Sequence, residues 1–141
     1  MESVISFNDQ TLSLPSSFFN NLREWIISTA KFEGYRVGEL IITFCSDPEL
    51  HKINLEYLHH DTFTDIITFD YFTDGYISGE IYISLDRIKE NATKFKKSLD
   101  NELLRIIIHG VLHLLGYEDK THDQKNVMDS KEDYYLSLLN K

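Results

Sequence analysis

Cysteine occurs once in the 141 residues, so no internal disulfide can form and a disulfide-stapled secreted scaffold is excluded. Two prolines and six glycines are too few for a fibrous, linker-like or low-complexity chain. No stretch approaches the roughly 18 consecutive apolar residues of a membrane helix, and Met1-Glu2-Ser3-Val4 has no basic region ahead of an apolar one. A cytoplasmic location with no membrane partner is therefore expected. Positive charge is scarce too: 14 Lys plus Arg face 23 Asp plus Glu, a formal charge of −9, which opposes indiscriminate attraction to phosphate backbones.

What is present is a globular composition, with 42% hydrophobic residues in a length suited to one core, so a single domain over 1–141 is expected. The lone Cys45 follows the apolar run Leu40-Ile41-Ile42-Thr43-Phe44 and reads as a small buried hydrophobe. The negative average hides one basic stretch. Arg87, Lys89, Lys94, Lys96, Lys97 and Arg105 outnumber Glu90, Asp100 and Glu102 there, and a polyanion would dock on it unless it is simply a solvated helix face.

Periodicity and caps place the elements. Val4 to Phe7 reads as a strand, and Pro15-Ser16-Ser17 opens an amphipathic helix to about Phe32, closed by Gly34. Leu40 to Phe44 is a second strand, and Ser46-Asp47-Pro48-Glu49 caps and starts a helix to about Tyr57. His59-His60-Asp61-Thr62 is a polar loop; Asp65 to Phe72 and Gly79 to Ser84 form a hairpin about Thr73-Asp74-Gly75. Helices follow over Leu85 to about Lys97, Asp100 to Leu115 and Asp123 to about Leu139, the last a packing helix with no legible chemistry. The expected fold is α+β, a four-stranded mixed sheet covered by helices.

The chemistry concentrates between Asn101 and His122. Leu103, Leu104, Ile106, Ile107, Ile108, Val111, Leu112, Leu114 and Leu115 leave almost no polar face, so this helix is expected to be central and buried, started by Ser98 or Asp100 and ended by Gly116. His109 and His113, four residues apart, leave one face and can reach one ion. Burying two unpaired imidazoles costs several kcal/mol, roughly, and a divalent metal, zinc first among candidates, removes that penalty. Gly116 then turns the chain back so that a residue near Asp119 approaches the same ion. The alternative is two core histidines satisfied by carbonyls or carboxylates. In zinc proteases with this spacing a Glu follows the first His as general base; here Gly110 stands in its place, which disfavours peptide hydrolysis by that route. The metal can still acidify a bound water and polarise a phosphoryl oxygen, as a hydrolytic nuclease requires.

The segment His109-Gly110-Val111-Leu112-His113-Leu114-Leu115-Gly116-Tyr117 closely resembles the signature of the YbeY family, bacterial rRNA maturation factors described as metal-dependent endoribonucleases. Asn54, Tyr57, Asp61, Thr64-Asp65-Ile66-Ile67-Thr68-Phe69 and Gly79-Glu80-Ile81-Tyr82-Ile83-Ser84 resemble its other two blocks, so the likeness spans about residues 40 to 130. It implies a YbeY-like metal-binding domain with one zinc ion, acting on single-stranded rRNA in maturation and quality control of the small-subunit (16S) rRNA, with the ribosome or its small-subunit proteins as partners. Two positions depart from the family pattern. Asp119 stands where the family usually has the third ligand His, with His122 the rival; Leu58 stands where most members carry an Arg thought to hold phosphate.

His109, His113 and Asp119 are thus the expected ligands and, through the metal-bound water, the catalytic set. Arg87, Lys89, Lys94, Lys96 and Lys97 are the expected RNA-binding face; His59 or His60 could take over the lost cation, and Asp65 and Glu80 could be acceptors for the ligand imidazoles or ordinary strand-end residues. The leading function is a zinc-dependent endoribonuclease. The alternatives are a noncatalytic ribosome-assembly factor with a structural zinc and, last, a metalloprotease relative using a base such as Glu118.

Overall fold

The computed structural model describes residues 3–60, 64–71 and 74–139. Its elements run β1 (Val4–Asp9), a short 3-10 turn (Ser16–Phe19), α1 (Leu22–Phe32), β2 (Arg36–Cys45), α2 (Asp47–Leu58), β3 (Ile66–Asp70), β4 (Tyr76–Ser84), α3 (Leu85–Phe95), α4 (Leu99–Leu114) and α5 (His122–Leu139). The sheet order is β1-β2-β4-β3, with β1, β2 and β4 parallel and β3 antiparallel to β4. The expected mixed four-stranded sheet is therefore present, and α1 and α2 are the crossovers that parallel neighbours require.

One face of the sheet meets α4. Ile77, Ile81 and Ile83 of β4 and Leu40 and Ile42 of β2 are fully buried with Leu103, Ile107, Ile108, Val111 and Leu112 of α4. Gly110 sets how close the helix comes: a Cβ there would meet Ile66 Cδ1 at 3.0 Å and two methyls of Ile81 at 3.1 Å. Gly79 does the same within the sheet, where a Cβ would stand 2.2 Å from the Phe69 carbonyl oxygen. The other face carries a smaller cluster of Cys45, Leu50 and Ile67. Cys45 is 1% exposed, and burial, with the charges of Glu49, Asp86 and Asp47, pushes its thiol up to about 11.

Two boundaries differ from the sequence reading. The helix expected from Pro15 to Phe32 is broken: Asn20 is extended and Asn21 sits in the left-handed region at φ 67°, a conformation Asn tolerates. The break turns Phe18 and Phe19 against Phe44 and Phe7, which a straight helix would not reach. The strands β2 and β4 start earlier than their apolar runs, because Arg36 and Val37 pair with Tyr76 and Ile77 ahead of a bulge between Val37 and Leu40. Asp61, Thr62, Phe72 and Thr73, assigned above to the polar loop and to the hairpin, lie outside the described residues.

Where α1 ends, Glu33 ties three elements together. Its carboxylate accepts from the hydroxyls of Tyr117 and Tyr135 and from Lys131 Nζ at 3.0 Å. Burial works to raise this carboxyl, but those donors outweigh it and hold its pKa below the ordinary 4.5. A depressed carboxyl stabilises the fold fully above its unfolded value, and the gain is lost as pH falls through the folded one. Glu33→Gln is accordingly expected to cost about 2 kcal/mol near pH 7 and progressively less below the ordinary carboxyl range, read from urea midpoints across pH. An undiminished cost at pH 3 would show that packing, not charge, carries the contact.

Candidate metal centre

Ser98 caps α4, its hydroxyl accepting from the Asn101 N–H at 3.1 Å, and Gly116 ends it at φ 104°. Two bonds close the turn: Gly116 N–H to the His113 carbonyl and Tyr117 N–H to the Leu112 carbonyl, both 3.0 Å. The reversed chain brings Asp119 back over the helix.

There the three expected ligands meet. His109 Nε2 and His113 Nε2 are 3.0 Å apart, and Asp119 Oδ2 is 3.3 Å from the first and 3.5 Å from the second. The remaining ring nitrogens fix the tautomers. His109 Nδ1 lies 2.6 Å from Glu132 Oε2 and His113 Nδ1 lies 2.9 Å from the Tyr117 carbonyl. A carboxylate and a carbonyl only accept, so both Nδ1 atoms carry a proton, which leaves each Nε2 as the nitrogen that can bind an ion. Three potential ligand atoms therefore converge. A tetrahedral zinc bound at about 2.0–2.1 Å spaces its donors by about 3.3–3.4 Å; the two distances to Asp119 lie close to that, and the two imidazole nitrogens, at 3.0 Å, stand somewhat closer. Among the described residues this is the one group of three or more His, Cys, Asp or Glu side chains close enough to share an ion.

The electrostatics follow from burial and charge. Burial opposes the imidazolium form of His109, but the hydrogen bond and charge of Glu132, with Asp119 and Asp65, outweigh it and hold its pKa above the ordinary value. Two of the three expected ligands, His109 and Asp119, line a cleft of about 390 Å³ whose walls also include Asp65, Ile88, Arg105, Lys125 and Met128.

The other expected residues sort by position. His122 opens α5, is exposed and stands outside the three-residue group. Arg87 pairs with Asp47 at 3.1 Å, Lys94 lies over the Phe95 ring, and Lys89, Lys96 and Lys97 are exposed; none of these five lines the cleft. Leu58 is 38% exposed at the end of α2, followed by His59 in the left-handed region and by His60, both exposed. Asp65 lines the cleft, whereas Glu80 accepts from Tyr71 and Tyr82 at 2.8 and 2.9 Å and serves no imidazole. Gly110 faces Ile66 and Ile81, so that position has no room for a protease-like base, and Glu118 is exposed outside the cleft walls.

Glu132 escaped the sequence reading, which took α5 as packing alone. The signal was available: Met128, Glu132, Tyr135 and Leu136 form the buried stripe of α5, and an acid in such a stripe requires a partner.

The profile of the family described as Endoribonuclease YbeY matches residues 4–140. Similar chains bearing that description include one from Phocaeicola vulgatus, 41% identical over 96% of this chain and 99% of its own length. Another from Christiangramia forsetii is 45% identical over 97% of this chain and 93% of its own. A Thermotoga maritima protein solved in solution superposes with a TM-score of 0.68 at 30% identity, covering 94% of this chain and 86% of that one.

Replacing a ligand should remove ion and stability together, because coordination free energy is folding free energy. His113→Ala and Asp119→Ala are expected to lose zinc on gel filtration and the rise in Tm that zinc gives; His122→Ala keeps both. Unchanged zinc content in His113→Ala would dissolve the assignment.

Proposed function

The chain belongs to the Endoribonuclease YbeY family, and on that premise we propose that it is a zinc-dependent hydrolase cutting single-stranded RNA. Its place is the maturation and quality control of small-subunit (16S) rRNA in the cytoplasm, on the ribosome or beside small-subunit ribosomal proteins, and residues 1–141 act as one metal-binding domain. The observation that carries this reading is the convergence of ligand atoms from His109, His113 and Asp119 within 3.0 to 3.5 Å of one another, beside a cleft that His109 and Asp119 line. A zinc ion held by His109, His113 and Asp119 supplies a Lewis acid for a phosphoryl oxygen and lowers the pKa of its water toward about 7. The protein's part is to hold that set rigid: α4 is anchored in the core, and Tyr117 and Glu132 orient the two rings. Asp119 in place of a third imidazole lowers the site's charge by one, so a somewhat less acidic water and weaker turnover are expected.

RNA outside the cleft is taken up by Arg87, Lys89, Lys94, Lys96 and Lys97 on and around α3, since Leu58 offers no cation. A second reading is favoured by that same Leu58 together with the −9 charge: a noncatalytic assembly factor whose zinc is structural. Cleavage of single-stranded 16S rRNA fragments decides between them. Activity that falls with zinc in Asp119→Ala and returns with zinc in chelator-treated wild type supports the nuclease; full zinc without cleavage supports the assembly factor. Neutralising Lys94, Lys96 and Lys97 together should also lower the slope of log affinity against log salt by about 2, given roughly 0.7 per phosphate contact on single strands. An unchanged slope would remove that face from RNA binding.

A further inference from the structure

Three acids of α5, Asp123, Asp129 and Asp133, are exposed, whereas the side chain of Glu132 is 6% exposed. A buried carboxylate is expensive, and replacing a buried ion pair with apolar residues is often neutral or stabilising, so structural need alone does not explain it. Its two oxygens are divided. Oε2 accepts from His109 Nδ1 at 2.6 Å; Oε1 accepts from Arg105 Nη1 at 2.9 Å, and the same guanidinium donates through Nη2 to Asp133 at 2.6 Å. The fork pins the carboxylate from behind. Held there, it meets His109 at Nδ1 and stands outside the three residues that could share an ion.

We propose that Glu132, clamped by Arg105, is the positioning residue of the metal centre, fixing the tautomer and plane of His109 and strengthening it as a donor. The inference rests on the metal-site reading above. It makes the two imidazoles unequal at Nδ1: there His113 leans on the neutral Tyr117 carbonyl, whereas His109 has an anionic partner. A carboxylate behind a ligating imidazole raises its basicity, and losing such a partner typically weakens metal binding by about 10- to 100-fold. Arg105 lies on α4 one turn before His109, so the clamp is built into the same rigid helix as the ligand it serves.

The test is zinc affinity by chelator competition, with cobalt(II) absorption bands as a second readout, on the full chain and its variants. Glu132→Ala is expected to weaken zinc by about 10- to 100-fold and to shift the cobalt bands. Glu132→Gln, which keeps the shape and removes the charge, should weaken zinc by about tenfold while melting near wild type without metal, and it carries the test if the alanine variant does not fold. Glu132→Asp recovers part of the loss. Leu136→Ala, an apolar truncation buried on the same helix, should lower the Tm and leave zinc affinity unchanged. Wild-type affinity and cobalt bands in Glu132→Gln, beside a His109→Ala that has lost the metal, would overturn the proposal and leave the metal site standing. Equal binding by wild type and His109→Ala would instead bring down the metal-site reading itself.

Discussion

The seating of α4 directly on the sheet is the constraint from which the rest of the structure follows. Gly110 permits it, because any side chain there would press into Ile66 and Ile81. With that distance fixed, the apolar run from Leu103 to Leu114 becomes the core of the molecule, and His109 and His113 are left at its flank, half-buried, with His109 on the wall of a cleft. A rigid, centrally buried helix is the kind of platform on which two ring nitrogens keep a separation of 3.0 Å.

Polar groups around α4 are organised as two supports on either side of the histidines. Glu132 and Arg105 hold His109; on the far side Tyr117 holds His113 with its carbonyl and reaches Glu33 with its hydroxyl. Through Glu33 the end of α1 is joined to α5 by Tyr135 and Lys131, and the Trp25 indole donates to the Tyr135 carbonyl at 2.8 Å. One residue after the glycine turn thus serves both the site and the tertiary structure. A fully paired network of this kind fixes geometry more strictly than apolar packing alone.

Local patterns made much of this legible in the sequence. The four-residue histidine spacing and the glycine that ends the helix foretold a returning third residue near Asp119, and the resemblance to the family pattern favoured Asp119 over His122. The mixed four-stranded sheet and the cap at Ser46 were likewise readable, and Ser98 was one of the two candidates for the start of α4. What was not legible depends on contacts between distant segments. Glu132 matters through a residue 23 positions earlier, and its helix looks like ordinary packing in isolation. The break at Asn20 and Asn21 answers to Phe7 and Phe44, and the bulge before Leu40 answers to a partner strand. The basic stretch was visible as charge, but only the fold shows that α3 turns those lysines away from the cleft while Arg105 turns inward.

The single cysteine gives the metal centre a further character. Zinc sites built on thiolates surrender their ion when the sulfur is oxidised, and a reactive thiol nearby can draw zinc away. Here the one thiol is sealed under α2, hydrogen-bonded toward the Ile83 carbonyl and pushed up to about 11, so it is protonated and shielded from oxidants. The candidate ligands are nitrogen and oxygen atoms only. A metal held by them would have no thiolate to lose to the oxidants that disarm cysteine-ligated zinc sites.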